Sequence, residues 1–206
     1  MKKPASVASR RELPQKIRII GGVWRSRLLN VLDLPRLRPT TDRVRETLFN
    51  WLGQDLTGLH CLDICAGTGV LGFEAASRHA STVTLLEKDK KIAANLLKNL
   101  ALLQSSPVKG GVHILQADGL EYLKRQADHS FNLIFIDPPF AEGDLFNQVI
   151  VEAGRICDDS AGGGIYIEFP ASRASEEVEA LLPGWECRKY LEAGQVKACL
   201  FRSKTA

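Results

Sequence analysis

From Gly58 onward, short apolar runs alternate with segments whose apolar residues recur at helical spacing. His60 to Cys65, Val83 to Leu86, Val112 to Leu115, Phe131 to Ile136 and Gly164 to Phe169 read as strands. Leu71 to Arg78, Lys90 to Leu103, Leu120 to Gln126 and Leu145 to Ile156 have helical spacing and helix-forming residues. Alternation of this kind predicts a parallel sheet covered by helices on both faces. The end of the chain departs from it. Trp185 to Leu191 and Val196 to Phe201 are two strand-like runs joined through Glu192-Ala193-Gly194-Gln195, which predicts an antiparallel hairpin at the end of the sheet.

Upstream, Ile17 to Ile20 and Arg27 to Leu32 look like two short strands around Gly21-Gly22. Thr40 to Asp42 then offer N-caps for a helix in which Val44, Leu48, Trp51 and Leu52 form an apolar stripe at i, i+4, i+7 and i+8. Arg43, Glu46 and Asn50 line another face. This pattern divides the chain into a basic, flexible tail (residues 1–15), a hairpin and helix that dock on the core (16–54), and one α/β domain (55–206).

Composition narrows the class. At 206 residues and 45% hydrophobic, the chain can bury one sizeable core. Met1 to Arg11 carry no apolar stretch that would read as a secretory signal, and no window approaches a membrane span, so a cytoplasmic protein is expected. The five cysteines, Cys61, Cys65, Cys157, Cys187 and Cys199, have no C-x-x-C pair and no histidine at zinc-ligand spacing, which reads as reduced, structural thiols and no metal. Residues 1–50 hold twelve Lys/Arg against four Asp/Glu, whereas residues 51–206 hold fifteen against twenty. A basic edge on a mildly acidic body suits a polyanionic partner.

The strand His60 to Cys65 runs into Ala66-Gly67-Thr68-Gly69-Val70-Leu71-Gly72 and then a helix, the order a nucleotide-binding loop requires. The glycine pattern alone fits an NAD site equally well. Asp63, near the strand's carboxyl end, shifts the balance: a carboxylate there meets the positively charged amino-acid portion of S-adenosylmethionine and repels a pyrophosphate. Glu87 ends the next strand and can accept both ribose hydroxyls. Asp118, after the third strand, can accept a hydrogen bond from the adenine amine.

The fourth strand delivers Asp137-Pro138-Pro139-Phe140 at the carboxyl edge, where open α/β sheets bind ligands. An amine on an aromatic base is a poor nucleophile because its lone pair is delocalised. A site that accepts hydrogen bonds from both amine hydrogens favours the nucleophilic form and stabilises the charge that develops as the methyl arrives. Asp137 supplies one acceptor and the Pro138 carbonyl can supply the other. The prolines stiffen the turn, and Phe140 can stack on a flipped base. No catalytic Ser, His or Cys is needed, because the sulfonium is already an activated leaving group; His60, His79, His113 and His129 read as structural or surface residues.

With these motifs in place, the chain closely resembles the bacterial family that methylates N2 of a guanine in small-subunit (16S) ribosomal RNA. The resemblance runs from Arg18-Ile19-Ile20-Gly21-Gly22 through the block Arg38 to Asn50, Asp63 to Ala75, and Asp137 to Phe140, with the Arg38 to Asn50 block the most specific part. It implies a seven-stranded, Rossmann-like class I methyltransferase fold, usually monomeric, acting late in small-subunit assembly on ribosomal RNA. It also implies that Asp63, Gly67, Gly69, Glu87 and Asp118 bind cofactor, with the helix starting at Thr41 bordering the methionine end. Asp137, Pro138, Pro139 and Phe140 would hold the target amine. Arg25, Arg27, Arg36, Arg38 and Arg43 are the candidate RNA contacts in the basic segment. Cys65 stands where the family often has an aromatic residue. Adenine-N6 or cytosine-N4 methylation keeps the same chemistry on another base. An NAD-dependent oxidoreductase and a non-catalytic RNA-binding assembly factor are the readings from other classes.

Overall fold

The computed structural model describes residues 16–34, 40–138 and 143–204. It opens with β1 (Lys16–Arg18) and β2 (Leu28–Asn30), paired antiparallel, followed by α1 (Asp42–Leu52). The remaining elements are β3 (His60–Asp63), α2 (Val70–Ser77), β4 (Thr82–Glu87), α3 (Lys90–Leu103), β5 (Gly111–Gln116), α4 (Gly119–Lys124) and β6 (Leu133–Ile136). After them come α5 (Asp144–Ile156), β7 (Gly164–Pro170), α6 (Ser175–Glu179), β8 (Trp185–Ala193) and β9 (Val196–Ser203).

Strands β3 to β9 form a seven-stranded sheet in the order β5-β4-β3-β6-β7-β9-β8, parallel except for the antiparallel pairs β7–β9 and β8–β9. The chain leaves β3 for β4 and β5, then returns to lay β6 on the other side of β3. That reversal opens a crevice at the carboxyl ends of β3 and β6, the place where such sheets bind ligands.

The central strands are apolar without a break because both of their faces are covered. On one face Cys61, Leu133, Phe135, Tyr166, Ala198 and Leu200 pack with Leu48 and Phe49 of α1, Phe73 of α2 and Leu96 of α3. On the other, Leu62, Ile134, Ile136, Ile165 and Ile167 pack with Leu120, Phe146, Ile150 and Val178 from α4, α5 and α6. The hairpin β1–β2 belongs to the first face: Trp24 stacks edge-on against Phe73 with centroids 6.3 Å apart and donates its indole N–H to the Ser106 carbonyl at 2.6 Å.

The boundaries differ from the pattern in understandable ways. β6 begins at Leu133 rather than Phe131, since Phe131 makes only a single bridge to Cys157. β3 ends at Asp63, where the glycine turn takes the backbone out of the ladder. The helix α6 has one buried residue, Val178, and is too short to show a helical period. Among the described residues, no helix is long and apolar enough to cross a membrane, and all five cysteines are free thiols.

Candidate active site

The glycine turn joins β3 to α2. Gly67 and Gly69 have φ of 51° and 77°, a left-handed backbone that L side chains rarely adopt. Gly72 serves packing instead, since a Cβ there would lie 2.8 Å from Leu85, and its absence lets α2 pack closely on β4. Gly69, the N-cap of α2, has no side chain to cap the helix. Asp63 does so from the strand, its Oδ2 accepting the Gly72 N–H at 3.1 Å, which places a carboxylate at the positive end of the helix. Glu87 reaches the same turn: Oε2 accepts the Gly67 N–H at 3.1 Å and Oε1 the Asp89 N–H at 2.8 Å. Asp118 caps α4 through the Glu121 N–H at 3.2 Å and pairs with Lys88 at 2.9 Å. The predicted cofactor residues thus gather around one crevice, with Asp63, Glu87 and Asp118 at the ends of three successive parallel strands.

Asp137 follows the last residue of β6. Register places Ile136 beside Ile167 of β7, and one step further brings Asp137 level with Glu168. Asp63, Asp137 and Glu168 share the parity of Cys61, Phe135 and Tyr166, so all three face the α1 side of the sheet on neighbouring strands. Thr40, just ahead of α1, donates its hydroxyl to Asp137 Oδ2 at 3.2 Å. Burial pushes Asp63 up to about 7, against the Gly72 N–H and with the like charges of Asp137 and Glu87. Asp137 is only partly covered as a residue, but its carboxyl is enclosed, and burial raises it to about 6. Burial, then the charge of Asp137, pushes Glu168 up to about 8. Among the described residues, no Lys or Arg forms an ion pair with this acidic layer.

The sequence marks Thr41, yet its neighbour Thr40 touches Asp137, while the Thr41 hydroxyl caps α1 through the Val44 N–H at 3.4 Å. Glu168 and Tyr166 escape a reading of the sequence; their signal is a carboxylate inside the apolar run Gly164 to Phe169, readable once the strands are aligned. Pro138 is described, partly exposed at the end of β6. Pro139 and Phe140 lie outside the described residues, as do Arg36 and Arg38.

The other arginines separate. Arg43 is exposed on the first turn of α1, near Thr40. Arg25 and Arg27 are exposed on the turn after β1, which is bonded to Ser77 at the far end of α2 (Val23 N–H to Ser77 O, 2.8 Å), the edge of the sheet opposite Asp137. Arg27 donates to Ser106 Oγ at 3.0 Å, and Arg25 borders a polar groove of about 510 Å³ with Glu46, Asn50 and Gln54.

A family model described as "Conserved hypothetical protein 95" matches residues 17–202, a span that holds both the glycine turn and Asp137. The chain belongs to this family. Among its relatives, "Ribosomal RNA small subunit methyltransferase D" of Escherichia coli (strain K12) is 39% identical over 204 residues, 98% of this chain and 95% of that one. The protein of the same name from Haemophilus influenzae is 48% identical over 146 residues, 70% of this chain and 72% of that one. A solved structure of a methyltransferase candidate from Escherichia coli has a TM-score of 0.74 at 37% identity and covers 93% of this chain and 99% of that one. The Rossmann-like methyltransferase fold expected for the family is the fold observed.

Proposed function

We propose that this protein transfers a methyl group from S-adenosylmethionine to the N2 amine of one guanine in small-subunit ribosomal RNA. The observation that carries the proposal is the acidic layer at the switch point: Asp137 projects one strand away from the glycine turn, its carboxylate held by Thr40. Two named relatives act, by their names, on small-subunit ribosomal RNA. The choice of guanine N2 over adenine N6 or cytosine N4 rests on the family resemblance.

The crevice fits the cofactor by its donor set. Glycines at 67 and 69 leave the turn free of side chains, and the carboxylates of Asp63, Glu87 and Asp118 suit, in that order, a cationic amino-acid head, a ribose diol and an adenine amine. Thr41 at the start of α1 would border the methionine end. When bound, S-adenosylmethionine supplies an electrophilic methyl group on a positively charged sulfur. Asp137 accepts one hydrogen of the target amine and the Pro138 carbonyl the other, which favours the pyramidal nitrogen and stabilises the charge it acquires. Asp137 then takes the surplus proton from the methylated nitrogen. Pro139 stiffens the turn and Phe140 stacks on the flipped base. Arg25, Arg27, Arg36, Arg38 and Arg43 contact phosphates, with residues 1–15 as a basic tail, 16–54 as the docked extension and 55–206 as the catalytic domain. The protein acts as a monomer in the cytoplasm, on an assembling subunit, without a metal.

The test is to incubate purified protein and methyl-labelled S-adenosylmethionine with unmodified small subunits and with naked ribosomal RNA, then digest to nucleosides. Label in N2-methylguanosine is expected. N6-methyladenosine, N4-methylcytidine, or label in protein alone would overturn the reading.

A further inference from the structure

Asp137 stands one residue beyond β6, and the position of its backbone does not by itself aim its carboxylate. The last torsion of an aspartate is broad and roughly two-fold, so its oxygens turn through a wide arc unless a second contact stops them. Transfer to an amine needs one oxygen held toward the nitrogen, and a misplacement of about 1 Å is enough to cost about 10²-fold in rate. The contact that stops the rotation comes from outside the strand. The Thr40 hydroxyl donates to Asp137 Oδ2 at 3.2 Å, and among the described residues it is the one side chain hydrogen-bonded to that carboxylate.

Thr40 is built to hold this contact. It is 9% exposed, so its hydroxyl is shielded from most competing water. Its branched Cβ restricts χ1, which keeps the hydroxyl in one place once the backbone is fixed. The backbone is fixed from the α1 side: Arg45 Nε donates to the Thr40 carbonyl at 3.3 Å, and the Arg45 N–H closes the first turn on the Thr41 carbonyl at 3.1 Å. Arg45 is fully buried and held by Glu74, by Asp42 at 2.6 Å and by the Arg18 carbonyl at 3.0 Å, so its place does not depend on any one of them. Thr41 spends its hydroxyl on the Val44 N–H, and Thr40 is the threonine left to face Asp137.

We propose that Thr40 is a positioning residue: clamped by Arg45 at the start of α1, it anchors one oxygen of Asp137 and thereby turns the other toward the target amine. This rests on the role given to Asp137 above. The N-terminal extension then does more than cover the sheet. It completes the site, because the residue that aims the carboxylate arrives with α1 rather than with the glycine turn or β6. The hydroxyl touches neither the base nor the transferred methyl, and acts through Asp137 alone.

A plain structural role makes a different forecast. A hydroxyl that served only to close a buried corner at the start of α1 would, when lost, lower stability, and its loss would be felt equally with or without the Asp137 carboxylate. A double-substitution cycle separates the two. Thr40→Val keeps the shape and removes the donor. Turnover on unmodified small subunits, counted as total methyl label in RNA whatever the base, should fall roughly 10- to 100-fold. KM for RNA and the calorimetric affinity for S-adenosylmethionine should stay within about threefold of wild type, because the lost contact acts on the chemical step. The thermal midpoint should move little. Thr40→Ser restores the donor without the branched Cβ and should recover most of the turnover. In an Asp137→Ala background, adding Thr40→Val should change turnover by less than about twofold, since no carboxylate remains to be aimed.

Equal losses from Thr40→Val in the two backgrounds would overturn the proposal, as would a Thr40→Val enzyme that turns over like the wild type while Asp137→Ala does not; either result leaves the functional reading intact. A loss that comes with a collapsed thermal midpoint and that Thr40→Ser does not recover would also overturn it. Near-normal transfer by Asp137→Ala would instead remove the reading on which the proposal rests, and the proposal with it.

Discussion

Two groups of buried charges sit on the same face of the sheet, under α1, and they are built on opposite principles. In one, Glu74 of α2, 0% exposed, lies between Arg45 of α1, also 0% exposed, and Arg78, forming an ion pair with each. Its oxygens also accept the Ile20 and Gly21 N–H groups at 2.7 and 3.3 Å, and Arg78 covers the Phe49 ring at 4.1 Å. With Asp42 pairing Arg45 at 2.6 Å, two carboxylates match two guanidiniums, and the N-terminal hairpin is tied to α1 and α2. In the other group, Asp63, Asp137 and Glu168 line up and, among the described residues, take hydrogen bonds from the Gly72 N–H, Thr40 and Tyr166, with no ion pair. Burying like charges without a counterion is costly, and such an arrangement stands where a ligand is to bring the missing charge. The first group ties elements of the fold together; the second is the one to which the proposed chemistry is assigned.

The sharpest way to break this contrast is to remove the centre of the matched network. Glu74→Ala leaves buried Arg78 without its carboxylate and Arg45 with only the exposed Asp42 as an ion-pair partner among the described residues, and roughly 3–5 kcal/mol of stability should be lost in denaturant unfolding. Protein that remains folded should still turn over. A mild loss of stability would mean that the arginines reach water and the network is not structural.

The acidic layer should behave the other way. Asp137→Ala should lower turnover by roughly 10²–10³-fold, the cost of one preorganised electrostatic contact, with little change in folding or in cofactor affinity measured by calorimetry. Near-normal methyl transfer would remove Asp137 from the mechanism.

A smaller effect follows from proton linkage. Asp63, Asp137 and Glu168 bind protons more tightly when folded, at about 7, 6 and 8, than in the unfolded chain. Their contribution to stability is therefore complete below the unfolded carboxyl values and is lost as pH rises through the folded ones. The thermal midpoint of the ligand-free protein should fall between about pH 5 and about pH 8, and Glu168→Gln should remove the upper part of that fall. A midpoint that climbs across this window would contradict the picture of an uncompensated layer.

The smallest effect concerns surface charge. Reversing Arg25, Arg27 and Arg36 should weaken RNA binding and flatten its salt dependence by about 0.7–0.9 slope units per lost phosphate contact, leaving S-adenosylmethionine binding intact. Since Arg25 and Arg27 lie at the edge opposite Asp137, an unchanged slope would confine the RNA to the side of Arg43.

Along the chain alone, strand-helix alternation determines the doubly covered parallel sheet, and the Glu192 to Gln195 turn determines its antiparallel end, because period and turn chemistry are local properties. The glycine turn and Asp137 are legible for the same reason: each motif is contiguous, and its backbone demands are written in its own residues. What only the tertiary structure decides is which distant side chains meet. Nothing local to Asp137 links it to Thr40, 97 positions away in the chain; the docking of α1 on the sheet brings them together. Thr40 rather than Thr41 faces Asp137 because capping turns the second threonine toward the helix's own amides. No sequence motif singles out Arg45, Glu74 and Arg78, which become a buried network because three elements close over them. Polar residues in a core are specified by partners from other elements, and a sequence states each partner without stating the meeting.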